Sequence, residues 1–337
     1  MTIKDIARES GYSVGTVSRT LNKSQGVSEK ARKRIMEVVE KYHFELNSNA
    51  RHLKKQSKDG IAIIIKGTNN MLFAAIVEHL QRMIRDRKYA CMVYYIGEDD
   101  NEVEQAIRIC QDRNPYGILF LGCNKDHFRA KFSVIPVPCV LVTSTAEDLG
   151  FDNLSSVGTD DVEGARYAVN HLFSLGHQKI GILGGNRMQS QAVADRYLGI
   201  IKAFEDHQME FFPEIQYEMG HFSLADGYSS AKRLIQKMPD VTAIFAMADI
   251  TAIGAIRALT DAGYRIPRDI SIIGYDGIPM SQALFPKLTT LKQDTKQIGK
   301  SAAEHLTSLI ESPKTTLIEK ILVDGYLLEG GSVRNLN

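Results

Sequence analysis

The segment from Val14 to Asn22, VGTVSRTLN, combines short hydroxyl side chains with one guanidinium and one amide. Hydroxyl and amide groups form hydrogen bonds with phosphate oxygens, and an arginine is long enough to reach a guanine edge in the DNA major groove. On a helix, one face of this segment would be mostly small, uncharged and exposed. The residues expected on that DNA-facing surface are Val14, Gly15, Thr16, Ser18, Arg19 and Asn22.

Two short helices are predicted to position that surface. Apolar residues recur at helical spacing before Gly11 and again after Ser13. Gly11 lies where a helix must end and turn, and Ser13 can cap the helix that follows. The pattern predicts a helix-turn-helix. An ordinary amphipathic helical hairpin would show the same pattern and is the structural alternative.

A third helix and a polar segment follow. Ser28 is placed to cap the helix EKARKRIMEVVEKYHF, and the start of that helix is a second candidate phosphate contact. The segment Glu45–Gly60 is mostly polar, which is typical of a flexible linker.

From Gly60 onward, short continuous apolar runs alternate with amphipathic stretches. GIAIIIK, YACMVYYI, YGILFLG and VPCVLV are followed, after Gly158, by KIGILGG, IQYEMG, TAIFAMA and DISIIGYD. This alternation predicts two doubly wound α/β units with parallel sheets. No phosphate-binding glycine motif occurs between a strand and a helix.

Polar and aromatic residues follow several of these predicted strands. Ligands in open α/β sheets bind beyond the carboxyl ends of the strands, so two facing lobes would enclose one cleft. Carboxylates and an arginine can bind sugar hydroxyls, and an aromatic ring can stack on a pyranose. The candidate ligand-binding residues at this stage are Asn69, Asn70, Phe73, Arg196, Phe222, Asp249 and Asp276.

The charge distribution separates the two ends of the chain. Residues 1–58 contain thirteen of the 41 Lys and Arg residues and six of the 40 Asp and Glu residues, which gives a net charge of +7. The remaining 28 basic and 34 acidic residues give −6. A basic N-terminal part on an acidic body is typical of a nucleic-acid-binding domain joined to a domain that avoids the polyanion.

Cysteine spacing and hydropathy predict the compartment. Four cysteines show no zinc-type spacing, which favours free thiols in a reducing compartment and predicts no metal or cofactor. No apolar run is long enough for a membrane helix, and the first residues lack the pattern of a signal peptide. We therefore expect a cytoplasmic protein without a membrane partner.

IKDIARESGYS followed by VGTVSRTLN closely resembles the DNA-binding head of the lactose/galactose repressor (LacI/GalR) family. The body is similar to the same family in LGHQKIGILGG, ADRYLGI, ADITAIGAIRALTDAGYRIPRDISIIGYD and FPKLTTLKQD. The resemblance implies a mixed α/β fold: an all-α helix-turn-helix head at 1–46, a hinge at 47–59 and a two-lobed body like that of periplasmic sugar-binding proteins. The expected lobes are 60–160 plus about 293–322, and 161–290 plus about 323–337.

The resemblance also implies residue roles. Val14, Gly15 and Arg19 would read bases, while Thr16, Ser18, Asn22 and Ser28 would hold phosphates. In the hinge, Asn47, Ala50 and Leu53 fall on the matching positions, with Leu53 as the minor-groove wedge. Arg196, Phe222, Asp249 and Asp276 match effector-contacting positions, and Gln293 matches a position near the cleft.

Several positions depart from the family pattern. Ala248 replaces a common asparagine, Ala192 replaces a frequent hydroxyl residue, and Leu46 replaces the proline before the hinge. The first loop reads Asn-Met-Leu-Phe, from Asn70 to Phe73, where Asn-Pro-Phe-Phe is common. Contacts to the usual sugars are therefore missing, so both a sugar and a non-sugar effector stay open.

Each cleft residue also has a structural alternative. Arg196 could be a surface charge, Phe222 a core residue, Asp249 a helix N-cap, and Asp276 part of a turn with Gly277.

The function expected from the sequence is non-enzymatic. It is a repressor that binds a pseudo-palindromic double-stranded DNA operator as a homodimer, or as a tetramer, and is switched by a small-molecule effector. A solute-binding protein of the sugar-transport type is the main alternative, and an enzyme is disfavoured because no catalytic motif occurs.

Overall fold

The computed structural model describes residues 3–21, 27–42, 58–67 and 70–337. These residues belong to two compact units, Met1–Ser57 and Lys58–Asn337. We call the first unit the head and the second the body.

The described part of the head contains three helices, α1 (Ile3–Ser10), α2 (Val14–Leu21) and α3 (Glu29–Lys41). Gly11 turns the chain with φ +79°, and the hydroxyl of Ser13 accepts a hydrogen bond from the amide of Thr16 at 3.2 Å. The hydroxyl of Ser28 caps α3 by accepting from the amide of Ala31. The predicted helix-turn-helix and both serine caps are confirmed.

A small apolar core holds these helices together. It consists of the buried residues Ile6, Ala7, Val17, Ile35 and Val38. Val14 is 43% exposed, as expected of the DNA-facing surface, and the buried positions of α2 are Val17 and Thr20. The hydroxyl of Thr20 donates to the carbonyl of Thr16, which satisfies it inside the helix.

In the body, strands and helices alternate along the chain. In chain order they are β1 (Ile61–Lys66), α4 (Met71–Asp86), β2 (Cys91–Ile96), α5 (Glu102–Arg113), β3 (Gly117–Leu121), α6 (Lys125–Lys131), β4 (Cys139–Val142), β5 (Leu154–Gly158), α7 (Asp161–Ser174), β6 (Ile180–Gly184), α8 (Gln191–Asp206), α9 (Pro213–Gln216), β7 (Tyr217–Met219), α10 (Leu224–Lys237), β8 (Ala243–Ala246), α11 (Asp249–Asp261), β9 (Ser271–Asp276), β10 (Thr289–Lys292), α12 (Thr295–Glu311), β11 (Lys320–Leu322) and β12 (Tyr326–Leu328). Short 3-10 helices occur at Phe132–Val134, Glu147–Leu149 and Pro279–Gln282.

The first sheet has the strand order β11-β5-β4-β3-β1-β2, and its strands are parallel. Its strand β1, which lies between β3 and β2, is buried from Ile61 to Ile65. Ile61, Ile63 and Ile65 pack with α4 and α12, while Ala62 and Ile64 pack on the other face with α5. A strand covered on both faces has no polar side, which explains its continuous apolar run.

The second sheet has the order β12-β10-β9-β8-β6-β7, and β12 is the antiparallel member. Helices α7 and α8 cover one face, and α10 and α11 cover the other. The chain passes between the two sheets after β5, after β10 and after β11. The predicted fold class is confirmed, whereas the exact lobe boundaries stay predictions.

Two further predictions concern helix limits and thiols. The sequence alone would start the helix that carries Arg196 at that residue, but α8 begins at Gln191, because Ser190 caps it by accepting from the amide of Val193. All four cysteines are free, and Cys123 and Cys139 are buried. No described helix has the length and apolar character needed to cross a membrane.

Candidate functional site

The polar surface of the head lies on α2. Val14, Gly15 and Arg19 are exposed, and Thr16 and Ser18 are half-buried. The Arg19 side chain folds along its own helix, where its Nε donates to the carbonyl of Gly15 at 3.3 Å. A solvent-exposed arginine in this position can extend towards a base edge at little cost.

Several predicted DNA contacts cannot be placed on this surface. Ser28 is not on α2; it is exposed at the N-terminus of α3, where the free backbone amides of a helix can bind an anion. The others, Asn22, Asn47, Ala50 and Leu53, lie outside the described residues, as does the predicted ligand contact Asn69.

A cavity of about 550 Å³ in the body is lined by residues that follow strands of both sheets. A volume of this order suits a small ligand such as a sugar. Five predicted residues line it: Asn70, Phe73, Arg196, Phe222 and Asp276. Asp249 and Gln293 are not among its lining residues.

Arg196 is the charged centre of the cavity floor. It is 5% exposed, and its Nε donates to Asp161 Oδ1 at 2.8 Å. Its Nη1 donates to the carbonyl of Met247, its Nη2 lies 3.5 Å from Asp276 Oδ1, and the guanidinium stacks on Tyr275 at 3.8 Å from the ring centroid. The surface-charge alternative for Arg196 is therefore wrong.

Asp276 ends β9 with an unusual backbone. Its φ of +112° is a conformation that side-chain-bearing residues rarely adopt, and Gly277 follows with φ +70°. The Gln293 amide donates to Asp276 Oδ1 at 3.0 Å, so Gln293 acts behind the carboxylate. Burial raises the pKa of Asp276 to about 6, against the opposing effect of Arg196. The turn with Gly277 is real, and the side chain lines the cavity as well.

Asp249 is fully buried beneath the cavity floor. It is the first residue of α11, but its carboxylate does not cap that helix, so the N-cap alternative is wrong. Its Oδ2 accepts from the amide of Ile278 at 2.8 Å, and its Oδ1 accepts from the Thr290 hydroxyl at 2.6 Å. Burial, together with the charge of Asp276, raises the pKa of Asp249 to about 8.

Two aromatic rings and an asparagine complete the predicted set. Phe73 is almost buried in the first lobe, and Phe222 is half-buried against the core of the second sheet. Phe222 is thus both a packing residue and a lining residue. Asn70 caps α4, because its Oδ1 accepts from the amides of Leu72 and Phe73.

Sequence reasoning missed several polar lining residues. They are Lys66, Glu98, Asp99, Thr143, Ser144 and Asp226. Most follow a strand directly, so applying the strand-end rule to β2 and β4 would have found Glu98, Asp99, Thr143 and Ser144.

The two sheets are joined across the cavity by direct polar contacts. His221 Nδ1, after β7, lies 2.9 Å from Glu98 Oε2, after β2. The amide of Gln191 donates to the carbonyl of Cys123 at 3.1 Å. The carboxylates of Glu98, Asp226 and Asp99 raise the pKa of His221 above its ordinary value, so protonation strengthens the first contact.

Comparison with known proteins identifies the family to which this architecture belongs. Residues 2–47 match the family described as bacterial regulatory proteins, lacI family, and residues 169–333 match a periplasmic binding protein-like domain. The chain is 32% identical, over 100% of both chains, to the HTH-type transcriptional regulator MalR of Clostridium butyricum. The chain belongs to the lacI family of bacterial regulatory proteins.

Further comparisons agree with this membership. The ribose operon repressor of Haemophilus influenzae is 30% identical over 93% of this chain and 92% of its own length. The fold matches that of a lac repressor dimer bound to operator and the anti-inducer ONPF, with a TM-score of 0.71, 23% identity and 99% of each chain covered. The chain is thus a DNA-binding transcription regulator of the lacI family, as its head predicted.

Proposed function

We propose that this lacI-family member is a repressor that binds a pseudo-palindromic operator as a homodimer and is switched by a small molecule in the cavity of the body. The observation that carries the proposal is the pairing, in one chain, of an exposed polar α2 surface with a cavity lined by residues from both sheets of the body. Each subunit would place one α2 in the major groove of one half-site.

The residues have separate tasks in this proposal. Val14, Gly15 and Arg19 read bases. Thr16, Ser18, Asn22 and Ser28 hold phosphates, and Asn47, Ala50 and Leu53 form the hinge contacts, with Leu53 inserted in the minor groove. One relative carries the name ribose operon repressor, which supports a sugar or sugar derivative as the effector.

The effector acts through linkage. It can change operator affinity only if it binds the DNA-bound and free states with different affinity. The contacts between Glu98 and His221 and between Cys123 and Gln191 are the ones that a change in lobe spacing would break or form. Arg196, Asp276, Phe73, Phe222 and Asn70 would contact the effector, with Asp249 and Gln293 supporting them from behind.

Selection of binding sites from a random DNA duplex library, with the purified full chain, tests the proposal. We expect enrichment of a sequence with two inverted half-sites, together with a dimer or a tetramer in sedimentation analysis. Recovery of no enriched sequence would contradict the DNA-reading role and favour a solute-binding function. Enrichment of a single half-site by a monomer would contradict the dimer.

A further inference from the structure

The cationic side chains of the cavity are already neutralised by the protein. Lys66 Nζ lies 3.0 Å from Glu102 Oε2, and the Glu102 side chain is fully buried. Arg196 faces two carboxylates, those of Asp161 and Asp276. Each of these two cations is therefore already paired with a carboxylate of the protein.

Three lining carboxylates, Glu98, Asp99 and Asp226, are not neutralised to the same extent. We call them the acidic trio. Glu98 shares the imidazole of His221, and Asp226 Oδ2 accepts only the hydroxyl of Ser223 at 2.9 Å. Within the described part of the chain, no ion pair joins Asp99 or Asp226 to a lysine or arginine. Even with His221 protonated, the trio keeps an excess of negative charge.

A bound metal ion is a poor match for this charge. Among the described residues, no group of three or more His, Cys, Asp or Glu side chains is arranged to hold one. The surrounding wall supplies the rings of Phe73 and Phe222 and the hydroxyls of Thr143 and Ser144 instead. Rings and hydroxyls suit an organic ligand with polar groups and an apolar face.

The geometry points to an effector that carries an ammonium group on a sugar-sized, hydroxylated body, with the ammonium bound by Asp99 and Asp226. This inference rests on the proposed effector-binding function of the cavity and adds the charge of the effector to it. Carboxylated or phosphorylated sugars would meet uncompensated carboxylates and are disfavoured. A hydrogen bond from an ammonium to a carboxylate changes affinity about tenfold or more.

Isothermal calorimetry on the full chain without DNA tests the ligand class. The probes are the 2-amino-2-deoxy sugar, the neutral hexose and the uronate of the gluco, galacto and manno series. We expect at least one amino sugar to bind about tenfold tighter than its neutral and uronate counterparts. The inference is overturned if a neutral sugar or a uronate binds as tightly, or if no amino sugar binds.

Two variants test whether Asp99 and Asp226 bind the ammonium group of the ligand. Asp99→Asn and Asp226→Asn should each lower the affinity for the amino sugar about tenfold. The affinity for the neutral hexose of the same series should change less than twofold. Asp112→Asn, an exposed carboxylate on α5 outside the cavity, is the matched control and should change neither. An equal loss of affinity for both ligands, or no loss of affinity, would contradict the assignment of the ammonium to Asp99 and Asp226.

Measuring operator binding in the absence of ligand separates the repressor proposal from the inference about amino sugars. Sequence-selective DNA binding without a preference for amino sugars would overturn this inference alone. Preference for amino sugars without sequence-selective DNA binding would overturn the repressor proposal and leave the charge class of the cavity standing.

Discussion

Arg196 pairs with two carboxylates that are almost completely buried. Asp161 and Asp276 are 6% exposed each, and their main compensating charge is this guanidinium. A buried ion pair adds little net stability when it is intact, but removing one partner leaves an uncompensated charge. The role of Arg196 is therefore to hold the floor of the cavity in one arrangement.

Replacing Arg196 should measure that role. Arg196→Ala is expected to lower the free energy of unfolding by about 3–5 kcal/mol, because two buried carboxylates lose their partner. Urea unfolding followed by circular dichroism gives the value. Lys202→Ala, on the same helix and paired only at 3.9 Å with Glu163, is the control and should have little effect. A loss for Arg196→Ala as small as that of the control would show that the cluster is not structural.

Asp249 should make stability depend on pH. Its pKa is raised from 3.8 to about 8 in the folded protein, so the folded state holds a proton that the unfolded state has lost. This contribution is fully present below about pH 4 and disappears as the pH rises through 8. The free energy of unfolding should fall by up to about 1.4 kcal/mol per pH unit within that window.

Asp249→Asn should flatten this dependence, because an amide does not titrate and can still pair with the Ile278 amide and the Thr290 hydroxyl. Asp276, with a pKa of about 6, leaves a slope of similar size, but only between about pH 4 and 6. Asp112→Asn should retain the full slope. Unfolding measured from pH 5 to 8 distinguishes them, and an unchanged slope in Asp249→Asn would disprove the protonated state.

At the scale of elements, sequence patterns were sufficient for helices and strands but not for every side-chain direction. The continuous run Ile61–Ile65 predicted a doubly covered strand because burial on both faces leaves no polar positions. The position of Asp249 at the start of a helix suggested a helix cap. Its hydrogen-bond partners are instead Ile278 and Thr290, which lie 29 and 41 residues further along the chain. Only the folded arrangement of β9, β10 and α11 reveals such a contact.

Helix α2 carries a prediction of its own. Arg19→Ala should weaken binding to the selected operator by about 1–3 kcal/mol and relax the preference at one base position in each half-site. The side chain is exposed and touches only its own helix in the described contacts, so folding should be unaffected. Fluorescence anisotropy with operator variants gives both quantities.

Arg34→Ala provides the comparison, since Arg34 is exposed on α3 and paired with Glu37 at 3.3 Å. Its loss should alter affinity for all DNA sequences alike, if at all. Equal effects of the two variants on every sequence would show that Arg19 does not read bases.

The whole molecule joins a basic N-terminal part, with a net charge of +7 in residues 1–58, to an acidic body that contains the cavity. The head alone would bind any polyanion, and the body alone resembles a solute-binding protein. A regulator requires the head to prefer one sequence over others. Salt dependence and sequence preference, measured together, separate these cases.

The most direct measurement is therefore a titration of the selected operator duplex and a scrambled duplex with the full chain between 50 and 200 mM salt. With six or more phosphate contacts in a dimer, affinity for the operator should fall about 10³-fold or more over this range. At the higher salt it should still exceed affinity for the scrambled duplex by at least about 10³-fold. Equal affinity for both duplexes, with no dependence on salt, would contradict the account.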